Sequence, residues 1–300
     1  MNRQKLHTDG PEFSKIAAGL WRLDQWNHTP DDTVSWIEAC LEAGITTFDH
    51  ADIYGDYTNE TRFGKALNLK PSLRDEIELV TKCDICLVSD SRPQNRINHY
   101  NTTPNHIISS VEQSLKNLGT DYVDLVLLHR PDPLMDATAT ADALMMLINQ
   151  QKAGAVGVSN FTPSQFDLLQ NRLDVPLVTN QIECSLLHTA ALFDGTLDYA
   201  QQNRYSPMFW SPFAGGGLFK KDTDQKQRVW NCLLTLSDKY EATPGQIALA
   251  WLLRLPANGI PVLGTGKTER IKEATETLHL SLERQDWFSL LVAAQGHPVP

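Results

Sequence analysis

The segment Leu118-Gly-Thr-Asp-Tyr-Val-Asp-Leu-Val-Leu-Leu-His129 joins the end of a helix to a short apolar strand. The preceding residues, Asn105–Leu118, carry apolar side chains at helical spacing, and Gly119 is typical of the position after the last turn of a helix. The largely apolar run Val123–Leu128 then ends at a polar residue, His129. Such a run predicts a strand buried in a sheet, so the segment predicts an α/β protein.

The same alternation of short apolar runs and helical stretches occupies the rest of the chain. We predict eight strands, at Ile16–Leu20, Thr46–Asp49, Ile77–Lys82, Val123–His129, Val156–Ser159, Val178–Gln181, Pro207–Ser211 and Ile260–Leu263. The clearest predicted helices are Thr33–Ala43, Asn105–Leu118, Pro163–Asn171, Gln227–Tyr240, Pro244–Leu253 and Glu283–Ala294. Strands separated by helices in this number predict a single (β/α)8 TIM barrel that occupies residues 1–300.

The alternative fold is an open, doubly wound parallel sheet. A dinucleotide-binding sheet of that kind would normally carry Gly-x-Gly-x-x-Gly after its first strand. Here the first strand runs into Gly19-Leu-Trp-Arg22, so we expect no Rossmann domain.

Composition excludes several classes of protein. The chain has 26 Lys and Arg against 36 Asp and Glu, a net charge of −10, which argues against binding to nucleic acid or to an anionic membrane surface. The longest apolar run, Ile247–Leu253, is too short to span a membrane, and the N-terminus has no apolar core of a signal peptide. Five cysteines, an odd and small number, favour a reducing compartment, so we expect a cytoplasmic protein. The oligomeric state is left open.

Four residues with chemical potential fall at or near the carboxyl ends of predicted strands: Asp49, Tyr54, Lys82 and His129. These ends converge on one mouth of a TM barrel, so the four side chains are expected to be neighbours. Lys82 would pair with Asp49, and its ammonium would lower the pKa of the Tyr54 phenol. The sequence thus predicts an acid, Tyr54, that protonates an oxygen, with His129 either orienting a carbonyl oxygen or assisting the proton transfer.

The segment Pro261–Ala274 places a glycine turn between the last strand and a helix. It is not a phosphate-binding Walker A loop, because Pro261 occupies the position of the first glycine. A glycine turn that opens a helix still presents backbone N–H groups to an anion. The side chains of Lys267 and Arg270 add positive charge, so we predict a site for an anionic cofactor group here.

Amide and hydroxyl side chains follow two other strands. Ser159, Asn160 and Gln181 offer donors and acceptors that suit a carboxamide such as that of nicotinamide, and Trp210 offers a flat face for stacking. The run Ser211–Leu218, which contains three glycines, could approach a cofactor closely. Cys83-Asp-Ile-Cys86 has His99 and His106 downstream but no second Cys-x-x-Cys to complete a structural zinc site, so we predict no metal.

These segments resemble the signatures of the aldo-keto reductase family. Gly44–Gly55 is similar to the first signature and Leu118–His129 to the second. Gly157–Phe161 and Asn180–Glu183 resemble the nicotinamide-binding stretches, and Pro261–Ala274 resembles the last signature. The stretch His129-Arg-Pro-Asp-Pro-Leu-Met-Asp136 looks like the bacterial oxidoreductase branch that includes YdhF.

The resemblance implies an NADPH-dependent reductase of small aldehydes or ketones, with NADPH or NADP+ extended across the barrel mouth. It implies Tyr54 as proton donor, tuned by Lys82 and Asp49, with His129 binding the carbonyl. The cofactor-binding residues that we assign are Gly19, Trp21, Ser159, Asn160, Gln181, Trp210, Ser211, Phe213, Gly215, Leu218, Gly264, Thr265, Gly266, Lys267 and Arg270.

The sequence departs from the family pattern near the cofactor. Gly264 stands where many animal members have a lysine for the 2′-phosphate, and Ala274 stands where many relatives have an adenine-contacting asparagine. Two other functions remain open: an NADPH-binding regulatory subunit resembling potassium-channel β subunits, and a barrel lyase that uses Lys82 as a Schiff-base nucleophile.

Overall fold

The computed structural model describes residues 3–300 and contains a closed barrel of eight parallel strands. The strands are β1 (Ala17–Gly19), β2 (Thr47–Asp49), β3 (Glu78–Cys83), β4 (Val123–Leu128), β5 (Ala153–Ser159), β6 (Leu177–Glu183), β7 (Met208–Trp210) and β8 (Ile260–Leu263). Each strand pairs with its neighbours in chain order, and the pairing of Val262 with Ala17 closes the ring. The predicted (β/α)8 barrel is therefore confirmed. Residues 1 and 2 of the proposed 1–300 domain lie outside the described residues.

Ten helices of seven residues or more surround the barrel in the described part of the chain. They are α1 (Pro30–Glu42), α2 (Asn59–Leu69), α3 (Pro104–Leu118), α4 (Ala137–Asn149), α5 (Pro163–Gln170), α6 (Thr196–Gln202), α7 (Asp224–Tyr240), α8 (Pro244–Leu253), α9 (Thr268–Glu276) and α10 (Arg284–Gln295). None of the helices found between residues 3 and 300 is long and apolar enough to cross a membrane.

Local sequence explains where several helices begin and end. Thr29, Thr162 and Thr243 each cap a helix whose first residue is proline, and each forms a reciprocal capping box with the side chain three residues later. Gly119 ends α3 in the left-handed conformation, at φ 70°. The sequence prediction did not include α2, α4 and α6 as helices.

An N-terminal hairpin closes the amino end of the barrel. Its strands, Arg3–Lys5 and Glu12–Ser14, pair antiparallel and were not predicted. The hairpin buries Leu6 and Phe13 completely against the apolar side chains that fill the barrel interior, among them Leu125. The amino end is thus packed with apolar side chains, and the polar side chains gather at the carboxyl end.

Candidate active site

Lys82 lies at the centre of the polar cluster inside the barrel mouth. Its side chain on β3 is fully buried, and its Nζ lies 2.8 Å from both carboxylate oxygens of Asp49 at the end of β2. The same Nζ donates to the His50 carbonyl oxygen at 2.8 Å and to the Tyr54 hydroxyl at 3.2 Å. The expected Lys82–Asp49 pair is therefore present in the structure, next to Tyr54.

The pKa of the Tyr54 phenol is higher than expected from the sequence. Burial raises its pKa above the ordinary value, and the Lys82 ammonium acts against that shift without reversing it. The expectation of a lowered pKa was wrong, because burial disfavours the phenolate more strongly than one ammonium, itself paired with Asp49, favours it. Tyr54 is consequently a protonated phenol at neutral pH and can donate a proton.

His129 faces Tyr54 directly after β4. The two rings meet edge to face with their centroids 5.9 Å apart. Burial lowers the pKa of His129 well below its ordinary value, and the charges of Lys82 and Arg130 lower it further. The imidazole is therefore neutral at physiological pH and can offer one N–H to an oxygen.

The environment of Lys82 disfavours a lyase. A Schiff-base nucleophile needs a free amine, which proteins obtain by lowering the lysine pKa. Burial alone would lower the pKa of Lys82, but Asp49 and Tyr54 together raise it above its ordinary value. With four hydrogen-bonding contacts and no exposed surface, the ammonium is fixed as a charged donor.

A cavity of about 750 Å³ opens above these residues at the carboxyl ends of the strands. Its walls include most of the residues predicted to bind a cofactor: Gly19, Trp21, Ser159, Asn160, Gln181, Trp210, Ser211, Phe213, Gly215, Gly264, Thr265 and Arg270. A more open depression of about 520 Å³ lies near the amino ends of β4 and β5 and contains none of them. The chemistry predicted from the sequence is thus concentrated at the first cavity.

The side chains expected to hold a carboxamide form one hydrogen-bonded chain. Ser159 Oγ donates to the main-chain carbonyl oxygen of Gln181 at 2.8 Å, and Asn160 Nδ2 donates to Ser159 Oγ at 2.8 Å. Trp210 Nε1 donates to Asn160 Oδ1 at 3.0 Å, which fixes the indole at the cavity wall. Gln181 Nε2 donates to Asp49 Oδ1 at 2.8 Å, so this chain of amides continues into the Lys82 cluster.

Three residues of the predicted cofactor set do not line the cavity. Leu218 is fully buried in the apolar core, where the loop after β7 turns inward. Gly266 lies against the indole of Trp26, and a Cβ built on it would fall 2.6 Å from that ring. Lys267 is exposed at the start of α9, where its backbone N–H donates to Thr265 Oγ1 at 3.2 Å. The structure brings Thr265 and Arg270 to the cavity but not these three.

The Cys83–Cys86 segment has a structural part in the site. Burial raises the pKa of the Cys83 thiol well above its ordinary value and that of Cys86 to about 11, so both stay protonated. Between them, the buried carboxylate of Asp84 accepts the backbone N–H of Arg130 at 3.2 Å on each oxygen. The segment therefore holds the chain that follows His129.

Comparison with known protein families gives a match that covers most of the chain. The chain matches the sequence model of the Aldo/keto reductase family over residues 15–290. It belongs to that family.

Relatives of this aldo/keto reductase extend over its whole length. The chain is 48% identical to Oxidoreductase YdhF of Escherichia coli, over 100% of both chains, so the predicted resemblance to the YdhF branch is confirmed. It is 47% identical to the 6-dehydroglucose reductase of Agrobacterium fabrum, over 97% of this chain and 98% of that one. The crystal structure of the thermostable aldo-keto reductase Tm1743 with the inhibitor epalrestat has the same fold, with a TM-score of 0.80, 24% identity and coverage of 98% and 100%.

Several cavity residues of this aldo/keto reductase were missed by the sequence analysis. The cavity is also lined by four residues that were not individually assigned: Arg130, Phe219, Trp230 and Glu273. The position of Arg130, just beyond the carboxyl end of β4, was a usable signal, because the loops that follow the strands surround the barrel mouth. Phe219 and Trp230 come from a loop and a helix whose approach to the cavity depends on tertiary packing.

Proposed function

We propose that this aldo/keto reductase reduces aldehydes or ketones to alcohols with NADPH, and that Tyr54 donates the proton. The contact of the Tyr54 hydroxyl with Lys82 Nζ, at 3.2 Å within the cavity wall, carries the proposal. The contact joins a protonated phenol that lines the cavity to a fixed positive charge, and this arrangement suits the donation of a proton to a substrate oxygen.

The residues of the cavity suit a dinucleotide. Gly264 leaves open space, since a Cβ built there meets no atom within 4 Å, and Thr265 and Arg270 lie beside it. The indole of Trp210 and the amides of Asn160 and Gln181 offer a stacking face and carboxamide partners. When bound, NADPH would supply the hydride. Arg270 supports a preference for its 2′-phosphate.

The chain's own residues then act on the carbonyl. Tyr54 and the neutral His129 offer hydrogen bonds to the carbonyl oxygen and so polarise the carbonyl group. As negative charge develops on that oxygen, Tyr54 gives up its proton, and the Lys82 ammonium stabilises the resulting phenolate. Asp49 keeps Lys82 charged and in place. The name of the Agrobacterium relative makes a sugar-derived aldehyde the first substrate to assay.

Replacement of the proton donor tests the proposal. We expect Tyr54→Phe to lower kcat by about 10²- to 10⁴-fold, the usual contribution of a positioned acid, with unchanged NADPH affinity. NADPH oxidation would be followed with a panel of aldehydes and dicarbonyls, and NADPH binding would be measured by calorimetry.

Tyr122→Phe is the matched control, because Tyr122 lies at the opposite end of the barrel and packs on Arg74. It should leave both quantities unchanged. Near wild-type turnover in Tyr54→Phe would refute the role of Tyr54. Tight NADPH binding without turnover of any carbonyl compound in the wild-type protein would instead favour the regulatory subunit.

A further inference from the structure

Arg130 is a charged residue of the cavity that the proposed chemistry does not use. Its side chain lines the cavity beside the catalytic residues, with its guanidinium carbon 5.8 Å from the Trp210 ring centroid. Among residues 3–300, no side chain forms an ion pair or hydrogen bond with this guanidinium; the Asp84 contacts involve only the backbone N–H. The five N–H donors of Arg130 are therefore available to a ligand.

The backbone at Arg130 is held firmly. Asp84, which accepts the Arg130 N–H, is fully buried and adopts a left-handed conformation at φ 97°, which is costly for a residue with a side chain. The neighbouring His129 N–H donates to the Cys83 carbonyl oxygen at 3.0 Å. These bonds fix the base of the Arg130 side chain next to His129, and the side chain lines the same cavity as His129 and Tyr54.

The charge of the inner cavity also points to a ligand. Lys82 is paired with Asp49, and His129 is neutral, whereas the guanidinium of Arg130 forms no ion pair with any of the residues 3–300. Burial dominates the pKa values of Tyr54 and His129, but Arg130 is near enough to lower both. A partly buried cation without a partner is unfavourable, and ligand oxygens would relieve that cost.

We propose that Arg130 binds hydrogen-bond acceptor oxygens on the carbon chain that carries the substrate carbonyl. The planar fork of a guanidinium matches two such oxygens, whether they belong to a carboxylate or to vicinal hydroxyls. The site would therefore select oxygen-rich carbonyl compounds over alkyl aldehydes of the same length. This inference rests on the proposed reductase function and assigns Arg130 as a determinant of its specificity.

Three four-carbon aldehydes, which would accept the hydride, test the proposal: butanal, 3,4-dihydroxybutanal and succinic semialdehyde. We expect Arg130→Met to lower kcat/KM by about 10- to 100-fold for the two oxygenated acceptors, mainly through KM, because charge-assisted hydrogen bonds are lost. For butanal the change should stay within about 3-fold, since only packing is altered. Arg130→Lys keeps the charge but not the planar fork of the guanidinium. If its kcat/KM recovers only with succinic semialdehyde, the carboxylate is the favoured group. If kcat/KM recovers with neither oxygenated aldehyde, binding requires both N–H donors of the fork.

Arg172→Met is the matched control, because Arg172 is exposed at the end of α5, away from the cavity. It should change none of the three values. An equal loss with all three acceptors in Arg130→Met, or no loss with any, would overturn the proposal.

A binding measurement separates this inference from the reductase assignment. Calorimetric titration of the wild-type protein with succinate, which needs no turnover, should show binding that Arg130→Met weakens by about 10-fold or more. Succinate binding that persists unchanged in Arg130→Met overturns the role of Arg130. If Arg130→Met loses succinate binding while the wild-type protein reduces no carbonyl compound, the binding role of Arg130 is supported. Only the proposed reductase function is then overturned.

Discussion

The two ends of the cavity are built differently. At the inner end Lys82, Asp49 and Gln181 are each at most 2% exposed, and their polar atoms bond to one another at 2.8 Å. At the outer end Gly264 and Arg270 are exposed, and open space surrounds Gly264. The inner end is thus organised before any ligand arrives, whereas the outer end has contacts to gain from one.

This difference separates two tasks. Charge that develops on a reacting oxygen is stabilised best by groups already fixed in place, because no reorganisation is then needed. Recognition of a charged, solvated group needs only exposed donors that a ligand can reach, and such contacts are weakened by water and salt. Mutations of Lys82, Asp49 or Gln181 should therefore affect chemistry and stability together, and mutations at the outer end should affect binding alone.

The largest effect is expected at Lys82. Lys82→Met removes the four contacts of Nζ and leaves the Asp49 carboxylate buried without its counter-charge. We expect kcat to fall by about 10²- to 10⁴-fold and the free energy of unfolding to fall by about 3–5 kcal/mol, the usual consequence of breaking a buried pair. Steady-state kinetics and denaturant unfolding measure the two losses.

Lys116→Met on the exposed face of α3 is the control for removal of a lysine charge and should leave both quantities unchanged. If Lys82→Met unfolds with the same free energy as the wild type, the buried Asp49 carboxylate does not need the Lys82 ammonium for stability. The inner end would then be no more organised than the outer one.

The clustering of the candidate catalytic residues could be predicted because they stand at strand ends. Asp49, Lys82 and His129 follow or end apolar runs, and parallel strands in a closed barrel bring such positions together whatever their separation in sequence. Eight apolar runs with helices between them were sufficient to predict that barrel. The N-terminal hairpin was missed because its three-residue strands carry no apolar pattern of their own.

Loop residues could not be predicted in the same way. Leu218 follows Gly215 and Gly216, both at positive φ, and this path turns its side chain into the core and away from the cavity. The direction of the Tyr54 pKa shift could not be predicted from the sequence either, since the extent of its burial depends on residues from several loops. Local pattern therefore predicts which strand end a residue occupies but not the path of the loop that follows.

The next largest effect is expected at Arg270. Arg270 lines the outer end of the cavity and Lys267 does not, although both were predicted to bind the same anionic cofactor group. We expect Arg270→Ala to weaken NADPH binding by about 10- to 100-fold and NADH binding much less, because one charge-assisted contact to the 2′-phosphate is lost. Lys267→Ala is the matched variant, with an expected loss within about 3-fold. Calorimetric titration with both cofactors measures this, and equal losses for NADPH and NADH would place the 2′-phosphate elsewhere.

The smallest effect is expected at two glycines that are two positions apart in the last signature. Gly266 packs against Trp26, whose indole lies 4.9 Å from that of the fully buried Trp36, so a methyl group at position 266 would have to displace an aromatic cluster. We expect Gly266→Ala to lower the free energy of unfolding by about 1–3 kcal/mol through overpacking. Gly264→Ala faces open space and should change stability by no more than about 0.5 kcal/mol. If thermal unfolding instead shows equal stability for the two variants, then Trp26 moves aside at no cost. Gly266 would then not be required for packing, and a role in cofactor binding would have to explain it.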